Sequence, residues 1–378
     1  MKKILFVSSM DIFANNYGGS KCALRNYEIV KLFFNTEAII MTSDIKKREK
    51  YKEEKKIKFL LYNQNKIIAF IRNLFRYTNN FSYQNEKRII KLIKEKKYDC
   101  IFIDTSSYGR LAKEIKKINS NIKIITFFHN IEYDFVNSLI LSQKNAIKKT
   151  LFYLKLKSVM YNETLAVKYS DFLINLNERD NKRMFDIYGK NSNLLLPITL
   201  EDEYIESNID NKEKYILFIG SLFFANYNGI KWFINNVMPE IKDKKLIVVG
   251  KGFETKREEL ERENVNIIGE VNDLKKYYRE AACMVMPIFE GAGMKVKTAE
   301  ALMWGKTIYG TTEAFEGYEM DYSKVGGLCN TKEEFIKRLN NDKPFNFNDY
   351  SRKVFIEKYS FLSSKEIFNN FLKENNLL

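Results

Sequence analysis

One histidine, His129, occurs in 378 residues, and no D-x-D pair occurs at all. The first absence excludes a multi-histidine metal centre, and the second excludes a paired-aspartate clamp for Mg²⁺. Cys22, Cys100, Cys283 and Cys329 lie far apart, so no metal-knuckle spacing exists, and reduced, buried thiols in a cytoplasmic setting are expected. No run of about 18 uncharged apolar residues is present, so nothing is expected to span a membrane. The start, MKKILFVSSM, carries an apolar run of only about five residues without a cleavage-type site, and reads as a first strand rather than a leader. Repeats and low-complexity tracts are missing. So are a C-x-x-C finger and an aromatic RNP segment, which leaves a pI near 9.3 to nonspecific contact with nucleic acid.

What is present is a globular chain, 45% hydrophobic and 14% aromatic, long enough for two cores. Its charge is uneven: residues 1–190 hold 37 Lys and Arg against 19 Asp and Glu, while residues 191–378 hold 26 against 29. The two halves are therefore expected to meet different partners. Strands are predicted at 3–9, 37–43, 57–63, 99–105, 122–130 and 171–177, separated by helices at 20–33, 65–77, 84–97, 108–118, 143–169 and 178–188. A second series runs through strands 215–221, 245–251 and 264–271 with helices 228–238 and 273–281, and helices near 331–341, 348–357 and 363–375 close the chain. Such alternation predicts α/β architecture with doubly wound parallel sheets. The expected division is a first domain over 1–200, a polar linker over 201–214, a second domain over 215–345, and C-terminal helices over 346–378 that pack back toward the first.

PIFEGAGMKVKTAEALMWGKTIYGT, residues 287–311, reads as strand end, loop, helix and strand. The run CMVMPI (283–288) before it suits a strand buried on both faces. Gly291 and Gly293 loosen the loop, helical spacing follows through Val296, Ala299, Leu302 and Met303, and Gly305 stops the helix. Backbone N–H groups and the ammonium groups of Lys295 and Lys297 thus meet at one helix N-terminus, a place for an anion.

This segment resembles the nucleotide-binding domain of GT-B glycosyltransferases, in particular the large retaining family 4. There a proline ends the strand, an EGxG-type loop follows, and a glutamate sits in the helix; here these are Pro287, Glu290-Gly291-Ala292-Gly293 and Glu300. Nine residues separate the two glutamates where the family has seven. The expansion contains Lys295 and Lys297 and resembles a subgroup with a G-x-K/R-x-K-x-x-E loop. The likeness covers about 215–320 well and the first half loosely. It implies a GT-B fold, two Rossmann-like domains facing a cleft, and transfer of a sugar from a UDP- or GDP-linked donor, with retention and without a divalent metal or other cofactor.

Residue by residue, the resemblance implies a catalytic set of His129, Glu290 and Lys297. Glu290 would meet the donor sugar and Glu300 the ribose hydroxyls. Lys295 and Lys297 would replace the arginine that many members place after the first glycine of this domain, since Gly220 is followed here by Ser221. Glu270 and Val271 would hold the base through backbone groups. Gly250 and Gly252 would line the same site, with Met294 and Val296 in the loop and Asn226 reaching the donor. Gly18 and Gly19 would lie near the donor phosphate, and His129 would hydrogen-bond the donor sugar. A plainer reading stands beside each: solvated loop lysines, an exposed helical glutamate, a helix cap at Asn226, a turn at Gly18-Gly19, and a structural histidine.

Between Glu54 and Glu86, and again between Asp134 and Glu163, cations and apolar residues alternate without one carboxylate. The first stretch holds Lys55, Lys56, Lys58, Lys66, Arg72 and Arg76; the second holds Lys144, Lys148, Lys149, Lys155 and Lys157. They read either as solvated helix faces or as a surface for anionic lipid. The expected acceptor is a glycan, such as a polyprenyl-diphosphate-linked one in bacterial surface polysaccharide synthesis. The expected location is cytoplasmic or peripheral on the cytoplasmic face of the inner membrane. A nucleotide-sugar epimerase of the same fold and a nucleic-acid binder are the alternatives; one histidine and the lack of nucleic-acid motifs weigh against them.

Overall fold

The computed structural model describes residues 1–13, 18–44, 46, 56–78, 80–206, 214–291, 293–341 and 347–378. Lys55 of the first basic stretch, Ala292 of the glycine loop and residues 207–213 of the expected linker lie outside them. The chain divides into two units, Met1–Pro197 with Ser364–Leu378, and Ile198–Ser363. Residues 349–359, read as part of a terminal pair of helices, belong to the second unit, and only the last helix returns to the first.

Unit 1 alternates as β1 (Lys3–Ser8), α1 (Gly18–Phe33), β2 (Asn35–Thr42), β3 (Ile57–Leu61), α2 (Lys66–Leu74), α3 (Tyr83–Glu95), β4 (Cys100–Asp104), α4 (Gly109–Ile118), β5 (Lys123–Phe128), α5 (Glu132–Ser142), α6 (Ala146–Tyr169), β6 (Phe172–Asn175), α7 (Glu178–Tyr188) and β7 (Leu194–Leu195). The strands form one parallel sheet in the order β3-β2-β1-β4-β5-β6-β7. Strand interiors such as Leu5, Ile101 and Ile125 are fully buried because helices cover both faces. Asn65, Ser82, Asn145 and Asn177 cap α2, α3, α6 and α7 by accepting from first-turn amides.

Two departures from the sequence reading have clear causes. The helix expected over 65–77 stops at Leu74 because Arg76 takes φ 62°, a left-handed backbone, and its carbonyl accepts from Asn162 Nδ2. The helix α5 was not anticipated, since Ile131 at its start offers no side-chain cap. Its cap is tertiary: Glu163 on α6 accepts from the amides of Glu132 and Tyr133 at 3.0 and 3.1 Å.

Unit 2 runs β8 (Tyr215–Ile219), α8 (Phe224–Asn236), β9 (Leu246–Val249), α9 (Arg257–Leu260), β10 (Val265–Gly269), α10 (Lys275–Glu280), β11 (Ala281–Met286), α11 (Val296–Met303), β12 (Thr307–Gly310), α12 (Tyr322–Val325), β13 (Gly326–Leu328), α13 (Lys332–Asn341) and α14 (Asp349–Val354). A π turn at Phe355–Tyr359 leads into α15 (Phe361–Glu374). Its parallel sheet has the order β10-β9-β8-β11-β12-β13. Both sheets are thus Rossmann-like. Each strand order reverses once, at β1/β4 in unit 1 and at β8/β11 in unit 2, and ligands of such sheets bind beyond the strand ends at that reversal.

Candidate functional site

At the β8/β11 reversal of unit 2 the backbone is drawn tight. A Cβ on Gly250 would lie 1.9 Å from the Gly220 carbonyl oxygen, so only glycine fits there. Gly220 in turn leaves room for an ammonium: a Cβ on it would stand 2.8 Å from Lys297 Nζ. Lys297, near the start of α11, donates to Asn226 Oδ1 at 2.7 Å and lies 4.7 Å from the Phe218 ring centroid. Burial, aided by the neighbouring Lys295 charge, lowers its pKa to about 7 against the pull of Glu300. Asn226 does not cap its helix, since Phe223 holds that position; its Nδ2 donates to the Ser221 carbonyl at 2.8 Å. One amide therefore ties Lys297 to the end of β8.

The other predicted residues fall around this point with different partners. Lys295 Nζ is paired with Glu313 at 2.6 Å and donates to the Gly293 carbonyl at 2.7 Å, so its charge is already balanced. Gly291 and Gly293 have φ of 152° and 67°, which shape the loop, while Met294 is buried and Val296 half-buried. Glu300 is buried and accepts from Tyr278 Oη at 2.8 Å, which rules out the solvated-helix reading. Glu290 is exposed and accepts from Asn228 Nδ2 at 2.9 Å. Asn226 and Asn228 are two residues apart on α8, so Glu290 and Lys297 are held by different faces of that helix. Glu270 is exposed and paired with Lys251 at 3.2 Å, beside half-buried Val271. The Gly252 amide is engaged by both oxygens of Glu254. Asn228, Tyr278 and Glu313 were not foreseen, because each acts on a predicted residue from a distant stretch of chain.

In unit 1 the strand-order reversal places Ser8 and Asp104 side by side in register. Asp104 is fully buried and receives Ser8 Oγ at 3.0 Å and Asn26 Nδ2 at 2.8 Å. His129, one residue past β5, sets Nε2 3.1 Å from Asp104 Oδ1. Burial alone would lower the His129 pKa, but the Asp104 carboxylate overrides it and holds the imidazole well above its usual range. Asp104 has a sequence signal of its own, an acid at the carboxyl end of the apolar strand CIFID. Gly18 and Gly19 open α1 and are half-buried.

Beside His129 a cavity of about 330 Å³ is lined by polar and apolar surface, with Asn73, Asn80, Ser106, Asn130, Glu132 and Lys155 among its residues. Burial raises the Glu132 pKa, opposed by Lys155 and His129. Beneath it Glu163, fully buried, accepts from Tyr188 Oη at 2.7 Å, and desolvation lifts its pKa to about 7.

Two parallel Rossmann-like sheets of this kind are the architecture of the GT-B fold. Residues 213–340 match the sequence model of the family described as "Glycosyl transferases group 1". The chain carries this match within its second unit. It is 25% identical over 409 residues to an "Uncharacterized 44.6 kDa protein in cps region" of Klebsiella pneumoniae, spanning 99% of this chain and all of that one. Among solved structures, Anabaena HepE in complex with UDP and glucose superposes with a TM-score of 0.70 at 12% identity, covering 99% of this chain and 100% of HepE. S. aureus TarM, as a point mutant in complex with Fondaparinux, alpha-GlcNAc-glycerol and UDP, superposes with a TM-score of 0.62 at 14% identity, covering 98% and 99%.

Proposed function

We propose that the protein transfers a sugar from a UDP-linked donor held by unit 2 to a glycan acceptor received by unit 1. The observation that carries this is the Lys297 ammonium, seated against side-chain-free Gly220 at the strand-order reversal of the family-matched domain. When the C1–O bond to the diphosphate breaks, the electron pair leaves with the nucleotide. The acceptor hydroxyl forms the new C1–O bond with retention, and its proton departs with the leaving group. Lys297 and the first-turn amides of α11 meet the growing negative charge, the role of a fixed cation in a partly dry site. Glu300 faces the ribose, and half-buried His129 of unit 1 hydrogen-bonds a sugar hydroxyl. Glu290, Glu270 and Val271 complete the donor contacts within unit 2.

UDP is favoured over GDP because the HepE and TarM structures hold UDP. The relative in a cps region supports a bacterial surface polysaccharide as product. Among the described residues no three His, Cys, Asp or Glu gather in a way that could hold a metal ion, and the reading assigns the leaving-group charge to Lys297 and backbone amides instead. Among the same residues no helix is long and apolar enough to cross a membrane. Attachment to the cytoplasmic face would then be peripheral.

A thermal-shift panel of UDP, GDP and their sugar conjugates, with and without chelator, tests this reading. UDP at a hundred times its Kd should stabilise the native state by about 2.7 kcal/mol, with or without chelator. No shift with any nucleotide, or a shift that vanishes in chelator and returns with manganese, would refute it.

A further inference from the structure

In unit 1 the short helix α2 presents apolar residues to solvent. Ile67 is 69% exposed, Ile71 46%, Leu74 48%, and Phe75 just beyond it 68%. Spacings of four, three and one place them on one stripe. The residue α2 buries is Asn73, a polar one. A helix serving only its own core would carry this pattern the other way round.

The adjoining helix α6 extends the same character. Ile147 and Leu151, four residues apart, are 75% and 44% exposed. The turn that follows α2 is tied to α6: Ser158 Oγ donates to the Tyr77 carbonyl at 2.8 Å and Asn162 Nδ2 to the Arg76 carbonyl at 2.9 Å. Lys66 and Lys148 stand exposed at the starts of α2 and α6. No carboxylate lies between Glu54 and Glu86 or between Asp134 and Glu163, so the charge that these two stretches of chain themselves carry is of one sign.

We infer that this face of α2 and α6 seats on an anionic lipid bilayer and brings a lipid-anchored acceptor to the cavity beside His129. The inference rests on the transfer reading above and deepens it by naming the acceptor class. Outward isoleucine, leucine and phenylalanine enter the acyl boundary while the lysines reach the headgroups. The helices that carry the face also wall the cavity, through Asn73 of α2 and Lys155 and Val159 of α6. A sugar carried on a lipid can therefore enter beside His129 while its tail stays in the bilayer.

Flotation with vesicles tests the docking. The full chain should rise with phosphatidylcholine vesicles containing a third phosphatidylglycerol and stay down with phosphatidylcholine alone. Ile67→Asp and Phe75→Asp should each lower partitioning at least about tenfold, and Lys66→Ala or Lys148→Ala about fivefold each. Transfer to a lipid-linked glycan in vesicles should fall in parallel, while transfer to the same glycan freed of its lipid is unchanged. These side chains are exposed, and an unchanged melting curve of the ligand-free protein confirms that each variant is folded.

Failure of the wild-type protein to float with anionic vesicles overturns the inference, as does equal flotation of the aspartate variants. Concentration-dependent self-association that Ile67→Asp abolishes, without flotation, would make the face a contact between copies and overturn it too. Flotation without any UDP shift would instead strike the transfer reading and leave the docking surface standing.

Discussion

A Lys297 that meets the donor diphosphate, as proposed, would make donor binding proton-coupled. With its pKa lowered to about 7, the free lysine is only about one-tenth charged at pH 8. A diphosphate against the ammonium restores the charged form, because a nearby opposite charge raises a lysine pKa. Binding of UDP at pH 8 should then take up about 0.9 proton, and affinity should fall about ninefold between pH 8 and pH 9. Calorimetric titration in two buffers of different ionisation enthalpy measures the uptake directly. Lys297→Met should weaken binding by about 1.5–3 kcal/mol, the range for a hydrogen bond to a charged group, and remove the pH dependence. Lys297→Arg should keep much of the affinity yet flatten the pH profile, since arginine stays charged throughout. No proton uptake at pH 8, together with flat affinity from pH 7.5 to 9, would refute the assignment of Lys297 to the diphosphate.

Single groups carry three further tests. Glu163 has its pKa raised from 4.5 to about 7 by folding, so its stabilising contribution is full below pH 4.5 and is lost as pH rises through about 7. Glu163→Gln should remove up to about 3 kcal/mol of that slope in urea denaturation, and an unchanged slope would count against the buried-carboxyl account. Asp104→Asn should lower the titration midpoint of His129, whose imidazole signals are the only ones in the chain; a midpoint that stays well above the usual value would show that Asp104 does not hold it. Gly250→Ala should destabilise unit 2 by at least about 2–3 kcal/mol, because its Cβ would meet the Gly220 oxygen at 1.9 Å, and an unaltered melting curve would contradict that close approach.

The sheets could be read from the chain because strands covered on both faces have to be apolar throughout. CIFID and KIITFF announce themselves without any partner in view. Elements at the sheet margins gave no such signal. β13 is three residues long and begins Gly-Gly, and β7 has two residues, too few for any periodicity to register. The anion loop was legible as chemistry, because lysines and glycines before a helix have a local meaning. Which lysine is available was not, since that depends on Glu313 reaching Lys295 from 18 residues away and Asn226 reaching Lys297 from 71.

The same division explains the unit 1 site. His129 stood out by being alone, but its charge state belongs to Asp104, Ser8 and Asn26, which meet only when β1, β4 and α1 are assembled. A buried carboxylate with three donors is stable as an anion only in that company. Any one of those donors read in isolation is an ordinary strand or helix residue. Composition and spacing therefore report where charge is wanted, and the folded contacts decide which group carries it. In this chain that leaves Lys297 as the lysine held at the strand-order reversal of unit 2 and His129 paired with Asp104 at that of unit 1, two sites whose opposite pKa shifts can be measured separately.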